Sequence, residues 1–117
     1  MAVDARASRL LVYLTEDDRS DGRSTADVVL EQARRLGLAG ATVWRGVEGF
    51  GASGHLRSDR FPDLARGMPL VVEVIDSPER IRQLAGIVDS LAPGVLMTTE
   101  AVQVGSDGAD LVGPAHP

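Results

Sequence analysis

The chain has 117 residues, a net charge of −5 and 44% hydrophobic residues, which predicts one domain with a single core. Aromatic residues make up only 3%, so that core must be mainly aliphatic. The absence of Cys excludes disulfides, thiol nucleophiles and thiolate metal sites. All twelve basic residues are Arg, which removes lysine chemistry but leaves guanidinium groups that can bind phosphate or carboxylate.

The acidic balance argues against nucleic acid or an anionic membrane as the main partner. No segment is long and apolar enough to span a bilayer, and the N-terminus lacks the apolar core of a signal peptide. We therefore expect a cytoplasmic protein of bacterial type that is not inserted in a membrane.

The first third of the chain predicts a strand followed by a helix. Residues 1–7 are small and polar and predict a flexible N-terminus. Residues 8–15 predict a central strand, because both of its faces are apolar. Beyond a polar loop, Ser24 is placed to cap a helix that Gly37 ends. The apolar stripe of this helix comprises Ala26, Val29, Leu30, Ala33 and Leu36.

A glycine-rich stretch follows over residues 37–54, with six of the thirteen glycines and the only Trp. Residues 41–50 predict a second strand, in which Gly46 indicates a bulge or a close backbone approach. From residue 51 to residue 67 the periodicity disappears. This connection of roughly 17 residues is longer than ordinary hairpin loops, which is typical of functional or mobile loops.

The second half repeats the strand and helix pattern. Pro69 opens a strand over residues 70–76, and Ser77, Pro78 and Glu79 form a helix start. Residues 95–104 predict the last strand, and residues 105–117 predict a disordered C-terminal tail. The stripe of the second helix comprises Ile81, Leu84, Ala85, Val88 and Leu91.

The element order β-α-β-β-α-β predicts an α+β, ferredoxin-like domain with a four-stranded antiparallel sheet and both helices on one face. The other face would carry aliphatic and aromatic side chains, so we expect a second subunit to cover it. The alternative is a monomer whose smaller patch is interrupted by Arg45 and Glu73. The residues that predict the patch are Leu11, Tyr13, Val71 and Ile75.

Over residues 40–54 and 69–76 the chain resembles the uncharacterised PII-like family called domain of unknown function 190, and the resemblance covers about residues 8–104. It implies a PII-like homotrimer, with nucleotide between subunits at the base of a mobile loop that contacts a target. The segment 47–51 would open that loop. A turn at residues 92–96 matches the second glycine-rich turn of PII proteins, but neither it nor the last strand carries a basic residue.

The resemblance and the local chemistry select the candidate ligand-binding residues. Glycine at positions 49 and 51 would let the backbone approach an anion, and Arg45 could bind a ligand anion or pair with Glu73. Trp44 could stack on a base or simply pack. The ligand would be an adenine nucleotide, another small anion, or none. The candidate set comprises Arg45, Glu48, Gly49, Phe50 and Gly51.

The loop over residues 52–68 is shorter than the usual PII loop and lacks its modifiable Tyr. It carries the candidate partner-contacting residues His55, Arg57 and Arg60. A single loop His without Cys makes a poor transition-metal site, and Ser53 with His55 is not a triad signature. We therefore expect no enzyme. We expect a ligand-sensing regulator whose target could be a membrane transporter or channel, or alternatively a constitutive trimeric adaptor without a ligand.

Overall fold

A computed structural model describes residues 4–105, with side chains from Arg6 onward. The main sheet contains β1 (Asp4–Thr15), β4 (Gly40–Arg45), β7 (Pro69–Asp76) and β8 (Leu96–Val104). The two helices are α1 (Thr25–Arg35) and α2 (Pro78–Leu91). Two-residue strands form two small ribbons, β2 (Arg19–Ser20) with β3 (Arg23–Ser24) and β5 (Glu48–Gly49) with β6 (Arg57–Ser58). A short 3-10 turn spans Pro62–Leu64.

The strand order is β4-β7-β1-β8, and every neighbouring pair is antiparallel. Both helices pack on one face of this sheet, which is the ferredoxin-like arrangement that the element order predicted. The core between them is aliphatic, as the composition required. Its fully buried members include Leu10, Val12, Val29, Val72, Val74, Leu84 and Val88.

Three local predictions need correction. β1 starts at Asp4 and takes in four residues expected to be flexible, because its first residues pair with the far end of β8. The strand predicted over residues 41–50 ends at Arg45. Ser24 occupies the N-cap position of α1, but its side chain makes no capping hydrogen bond. Instead, the Thr25 amide donates to the carbonyl of Asp18 at 2.9 Å, which ties the helix start to the preceding loop.

Other local predictions are confirmed. Ser77 caps α2, since its hydroxyl accepts from the Arg80 amide at 3.4 Å. Gly37 follows α1 with φ +69°, a left-handed conformation that favours glycine. Within residues 4–105, no helix is long and apolar enough to cross a membrane. The tail predicted over residues 105–117 lies almost wholly outside the described residues.

Candidate functional site

One cleft of about 810 Å³ brings four distant parts of the chain together. Its walls are the C-terminal end of β1, the glycine segment after β5, the start of β7 and the turn that follows α2. Tyr13, Phe50, Val71 and Leu96 contribute apolar surface. The cleft is therefore large enough for a small organic ligand, and apolar over part of its wall as ligand sites usually are.

At the end of the second strand, Gly46 packs directly against Pro69, which has no amide to continue the pairing. The Gly46 amide donates to the Pro69 carbonyl at 2.7 Å. A Cβ on Gly46 would lie 2.9 Å from Cγ of the proline ring, so only glycine fits without displacing that ring. The chain turns away from the sheet at this point. This confirms the close backbone approach predicted at Gly46 and places Gly49 at the cleft.

The long connection is more structured than the sequence indicated. Its first half is a hairpin, in which Glu48 lies opposite Ser58 and Gly49 lies opposite Arg57. Ser58 is fully buried, and the Asp59 amide donates to the carbonyl of Val47 at 3.1 Å. The hairpin tip turns through Gly54, whose φ is +75° and whose amide donates to the Gly51 carbonyl at 2.9 Å.

Glu16 joins the two ends of this connection. One carboxylate oxygen accepts from Nε of Arg45 at 3.1 Å, just before the connection begins. The other accepts from the Met68 amide at 2.9 Å, just after it ends. The hydrogen bond from Arg45 is the main cause that holds the pKa of Glu16 below its ordinary value of 4.5, and the Met68 bond adds to it. We call Glu16, Arg45 and Met68 the loop clasp.

Acid should open the loop clasp. A carboxyl group whose folded-state pKa is lowered stabilises the fold above its unfolded-state pKa and loses that contribution as the pH falls through the folded-state pKa. The pKa of Glu48 is also lowered, chiefly by its hydrogen bond from Arg60. We therefore expect stability to decrease as the pH falls below 4.5, and the loop ends to be affected early.

The measurement is thermal unfolding at about pH 7 and about pH 3.5 for the parent and for Glu16→Gln. The amide side chain cannot ionise, so the variant should lose less stability on acidification than the parent. Equal losses in the two proteins would show that Glu16 does not contribute to the acid sensitivity. Glu79→Gln is the control for removing one exposed carboxyl group, because Glu79 lies in the first turn of α2 and makes a 3.8 Å contact with Arg82, outside the loop clasp.

The turn after α2 closes the cleft from the other side. The Ala92 amide donates to the carbonyl of Val88 at 2.8 Å, and the Val95 amide donates to Ala92 at 3.0 Å. Gly94 has φ +80°, which allows the tight reversal into β8. No basic side chain lies on this turn. Cationic groups reach the cleft from elsewhere, because Arg19 and Arg57 are part of its lining.

The acidic side chains of the cleft limit what it can bind. Asp17 and Asp18 both line it. Asp18 is engaged locally, since its carboxylate accepts from the Thr15 amide at 2.7 Å and from the Thr15 hydroxyl at 3.3 Å. Asp17 packs against Gly67, where a Cβ would lie 2.3 Å from a carboxylate oxygen. A bound anion would therefore have to lie toward Arg57 and the glycine segment.

The structure divides the predicted site residues into two groups. Five of them line the cleft: Gly49, Phe50, Gly51, His55 and Arg57. The other three are held in ion pairs outside its lining, namely Arg45 with Glu16 at 3.1 Å, and Glu48 with Arg60 at 2.8 Å.

Of the two roles considered for Arg45, the pairing with Glu73 is wrong. Arg45 lies opposite Leu70, so it falls on the other side of the sheet from Glu73. Glu73 instead accepts from Nε1 of Trp44 at 2.9 Å and contacts Arg9 at 3.5 Å. Trp44 is therefore on the open sheet face and outside the cleft lining.

Sequence reasoning missed the loop clasp and the contact between Asp17 and Gly67. The signal that could have found this contact is Gly67, since glycine favours special backbone conformations and Gly67 has a φ of +63°. The partner of that glycine could not be read from the sequence, because the two residues are fifty positions apart. Within residues 4–105, no group of three His, Asp or Glu side chains is arranged to hold a metal ion.

Comparison with known families identifies the chain. The model of the family DUF190, described as "Uncharacterized ACR", matches residues 7–104. The chain belongs to the DUF190 family. A relative in Aquifex aeolicus (strain VF5), named a UPF0166 protein, is 34% identical over 95 residues, which cover 81% of this chain and 90% of that protein. The resemblance found in residues 40–54 and 69–76 is therefore confirmed.

Solved structures share the fold of this DUF190 member. A PII-like signalling protein from Thermus thermophilus aligns with a TM-score of 0.54 and 20% identity over 89% of this chain and 91% of that one. CPII from Thiomonas intermedia K12, described as a nitrogen regulatory PII-like protein bound to ADP, AMP and bicarbonate, aligns with a TM-score of 0.53 and 14% identity over 85% and 88%. At these identities the likeness shows the fold alone, which is PII-like.

Proposed function

We propose that the protein is a PII-like regulator that binds a small anionic ligand in the cleft and reports it through the hairpin loop to a target protein. The observation that carries the proposal is the meeting of residues 49–51 with the turn over residues 92–96 in one cleft. The sequence resemblance matches residues 47–51 to the base of the PII loop, where nucleotide binds, and residues 92–96 to the second glycine-rich turn that holds phosphates.

Backbone amides and Arg57 are the groups that would bind the anion. Gly51 has open space around its Cβ position, so a ligand can approach the backbone closely there. Arg57 lies opposite Gly49 in the hairpin and offers a planar guanidinium. Phe50 is 76% exposed and borders the cleft, so its ring is free to stack on an adenine base.

Ligand binding would be transmitted because the hairpin is itself a wall of the cleft. A ligand that contacts residues 49–51 and Arg57 favours one position of both hairpin strands. His55, Arg57 and Arg60 would then present a defined basic surface to the target. A membrane transporter or channel is one target that this surface could contact. In the homotrimer that the resemblance implies, a neighbouring copy would cover the open side of the cleft.

Thermal unfolding in the presence of ADP, AMP and bicarbonate tests the proposal, because a ligand that binds only the folded state raises the melting temperature. The matched variants are Arg57→Ala inside the cleft and Arg45→Ala outside its lining. We expect at least one of these ligands to raise the melting temperature of the parent, and Arg57→Ala to lose most of that shift. Arg45→Ala should retain it, even though its loop clasp is weakened.

A constitutive trimeric adaptor is the second candidate, favoured by the acidic side chains of Asp17 and Asp18 and by the absence of a basic residue on the turn after α2. An adaptor would show no melting shift with any of the ligands, and its hairpin would be equally ordered with and without them. A shift of equal size in the parent and in Arg57→Ala would place the ligand elsewhere and contradict the site.

A further inference from the structure

An apolar row crosses all four strands of the open sheet face. Tyr13 lies opposite Leu96 on one side and Val71 on the other, and Val71 lies opposite Trp44. Residues directly opposite one another in antiparallel strands share a face. Tyr13 is 39% exposed, Trp44 58% and Leu96 63%. Aromatic side chains exposed in this way are typical of the centre of a protein interface.

A polar network also spans the four strands on this face. Glu100 of β8 contacts a guanidinium nitrogen of Arg9 on β1. A second guanidinium nitrogen of Arg9 lies 3.5 Å from Glu73 of β7, and Glu73 accepts from Nε1 of Trp44 on β4 at 2.9 Å. We call Glu100, Arg9, Glu73 and Trp44 the cross-sheet network. Trp44 belongs to both the network and the apolar row.

The network is not balanced within one copy. It contains two carboxylates for one guanidinium, and Arg9 contacts both of them, so one carboxylate charge is left unmatched. Glu100 lies on the edge strand β8 with 54% of its side chain exposed, where a neighbouring molecule would approach. The unmatched carboxylate charge therefore lies beside an apolar row, and the guanidinium on the same face of another copy carries the opposite sign.

We propose that the cross-sheet network sets the orientation in which copies of this chain pack on the open sheet face, with Arg9 of one copy pairing with Glu100 of its neighbour. The apolar row supplies the contact area, and because Tyr13, Val71 and Leu96 also line the cleft, the neighbouring copy would lie at the border of the ligand site. The charged pair excludes other registers and other partners. This inference rests on the self-association that is part of the proposed function. It adds which residues decide that association.

Charge reversal tests the inference. In the proposed contact, Arg9→Glu sets a carboxylate at position 9 against Glu100 of the neighbouring copy, and Glu100→Arg sets a guanidinium at position 100 against Arg9 of the neighbouring copy, so each variant alone repels its own copies. We expect each to raise the concentration at which the assembly half-dissociates by about tenfold or more. The control is Arg82→Glu, which reverses an exposed charge on α2, away from the sheet face. The measurements are light scattering and native mass spectrometry.

Mixing the two variants separates a contact between copies from a contact within one copy. Glu at position 9 of one variant can face Arg at position 100 of the other, so mixed assemblies should exceed the statistical proportion. Circular dichroism checks that each variant folds. Glu100→Arg, at an exposed edge position, keeps the test valid if Arg9→Glu fails to fold, because its own dissociation is still measurable.

Each outcome has a definite meaning. Dissociation of the single variants with preferred mixed assemblies supports the inference. Variants that assemble like the parent, or that dissociate without preferring mixed assemblies, overturn it and leave the trimer and ligand site of the proposed function unaffected. A parent that is monomeric at all concentrations overturns both this inference and the self-association on which it rests.

Discussion

Leu84→Ala is expected to lower the free energy of unfolding by about 2–5 kcal/mol. Leu84 is fully buried in the core between α2 and the sheet, together with Val72, Val74 and Val88. Removing its side chain loses the transfer free energy of the deleted atoms and leaves a cavity that a small aliphatic core cannot fill. The measurement is urea denaturation. An unchanged m-value would show that the variant has lost stability and that the surface exposed on unfolding is the same.

Leu96→Ala is the matched control, because it deletes the same atoms from a side chain that is 63% exposed. We expect it to change the stability of a single chain by no more than about 0.5 kcal/mol. It should instead weaken self-association, since Leu96 belongs to the apolar row. Similar losses of chain stability for the two variants would contradict the assignment of Leu84 to the core and Leu96 to an interface.

Gly67→Ala, at the base of the cleft, is expected to lower the free energy of unfolding by about 1–3 kcal/mol. The backbone of Gly67 has φ +63°, which is unfavourable for any residue with a side chain. Its Cβ would also lie 2.3 Å from a carboxylate oxygen of Asp17 and 3.1 Å from that carboxyl carbon. Asp17 would have to move, and the wall of the cleft with it. The melting temperature and the ligand-induced shift in melting temperature should therefore both decrease.

Gly54→Ala separates the two causes. Gly54 has a similar φ of +75°, but nothing lies within 4 Å of its Cβ position. We expect it to carry only the backbone cost of about 1–2 kcal/mol. Combining Gly67→Ala with Asp17→Ala should recover the steric part of the loss. If Gly67→Ala costs no more than Gly54→Ala, and Asp17→Ala recovers nothing, the contact with Asp17 has no energetic effect.

The sequence was sufficient for the architecture because hydrophobic periodicity reports the core directly. The alternation in β1 and β7 and the stripes of α1 and α2 all point to one aliphatic layer, which the structure shows. Boundaries were less accurate where long-range contacts decide them. Pairing with β8 extends β1 to Asp4, and β4 ends at Arg45, where its partner strand begins with Pro69, which has no amide to donate.

The candidate site was harder to predict, because it depends on the face of the sheet on which the side chains near the strand ends lie. Pairing with Glu73 was one of two roles considered for Arg45, yet the register places Arg45 with Leu70 and Glu73 with Thr42. The glycine segment was found because glycine marks special backbone positions. Glu16 was not found, because nothing in a polar loop sequence indicates that one carboxylate joins residues 45 and 68.

Amide hydrogen exchange with and without ADP, AMP or bicarbonate tests the central claim most directly. The proposed site predicts that a bound ligand slows exchange in two separate segments, residues 49–51 and residues 92–96, while exchange on the outer surface of α1 is unchanged. Protection of both segments together would support a ligand held between them. Protection of neither segment, or protection confined to the outer surface of α1, would contradict the account.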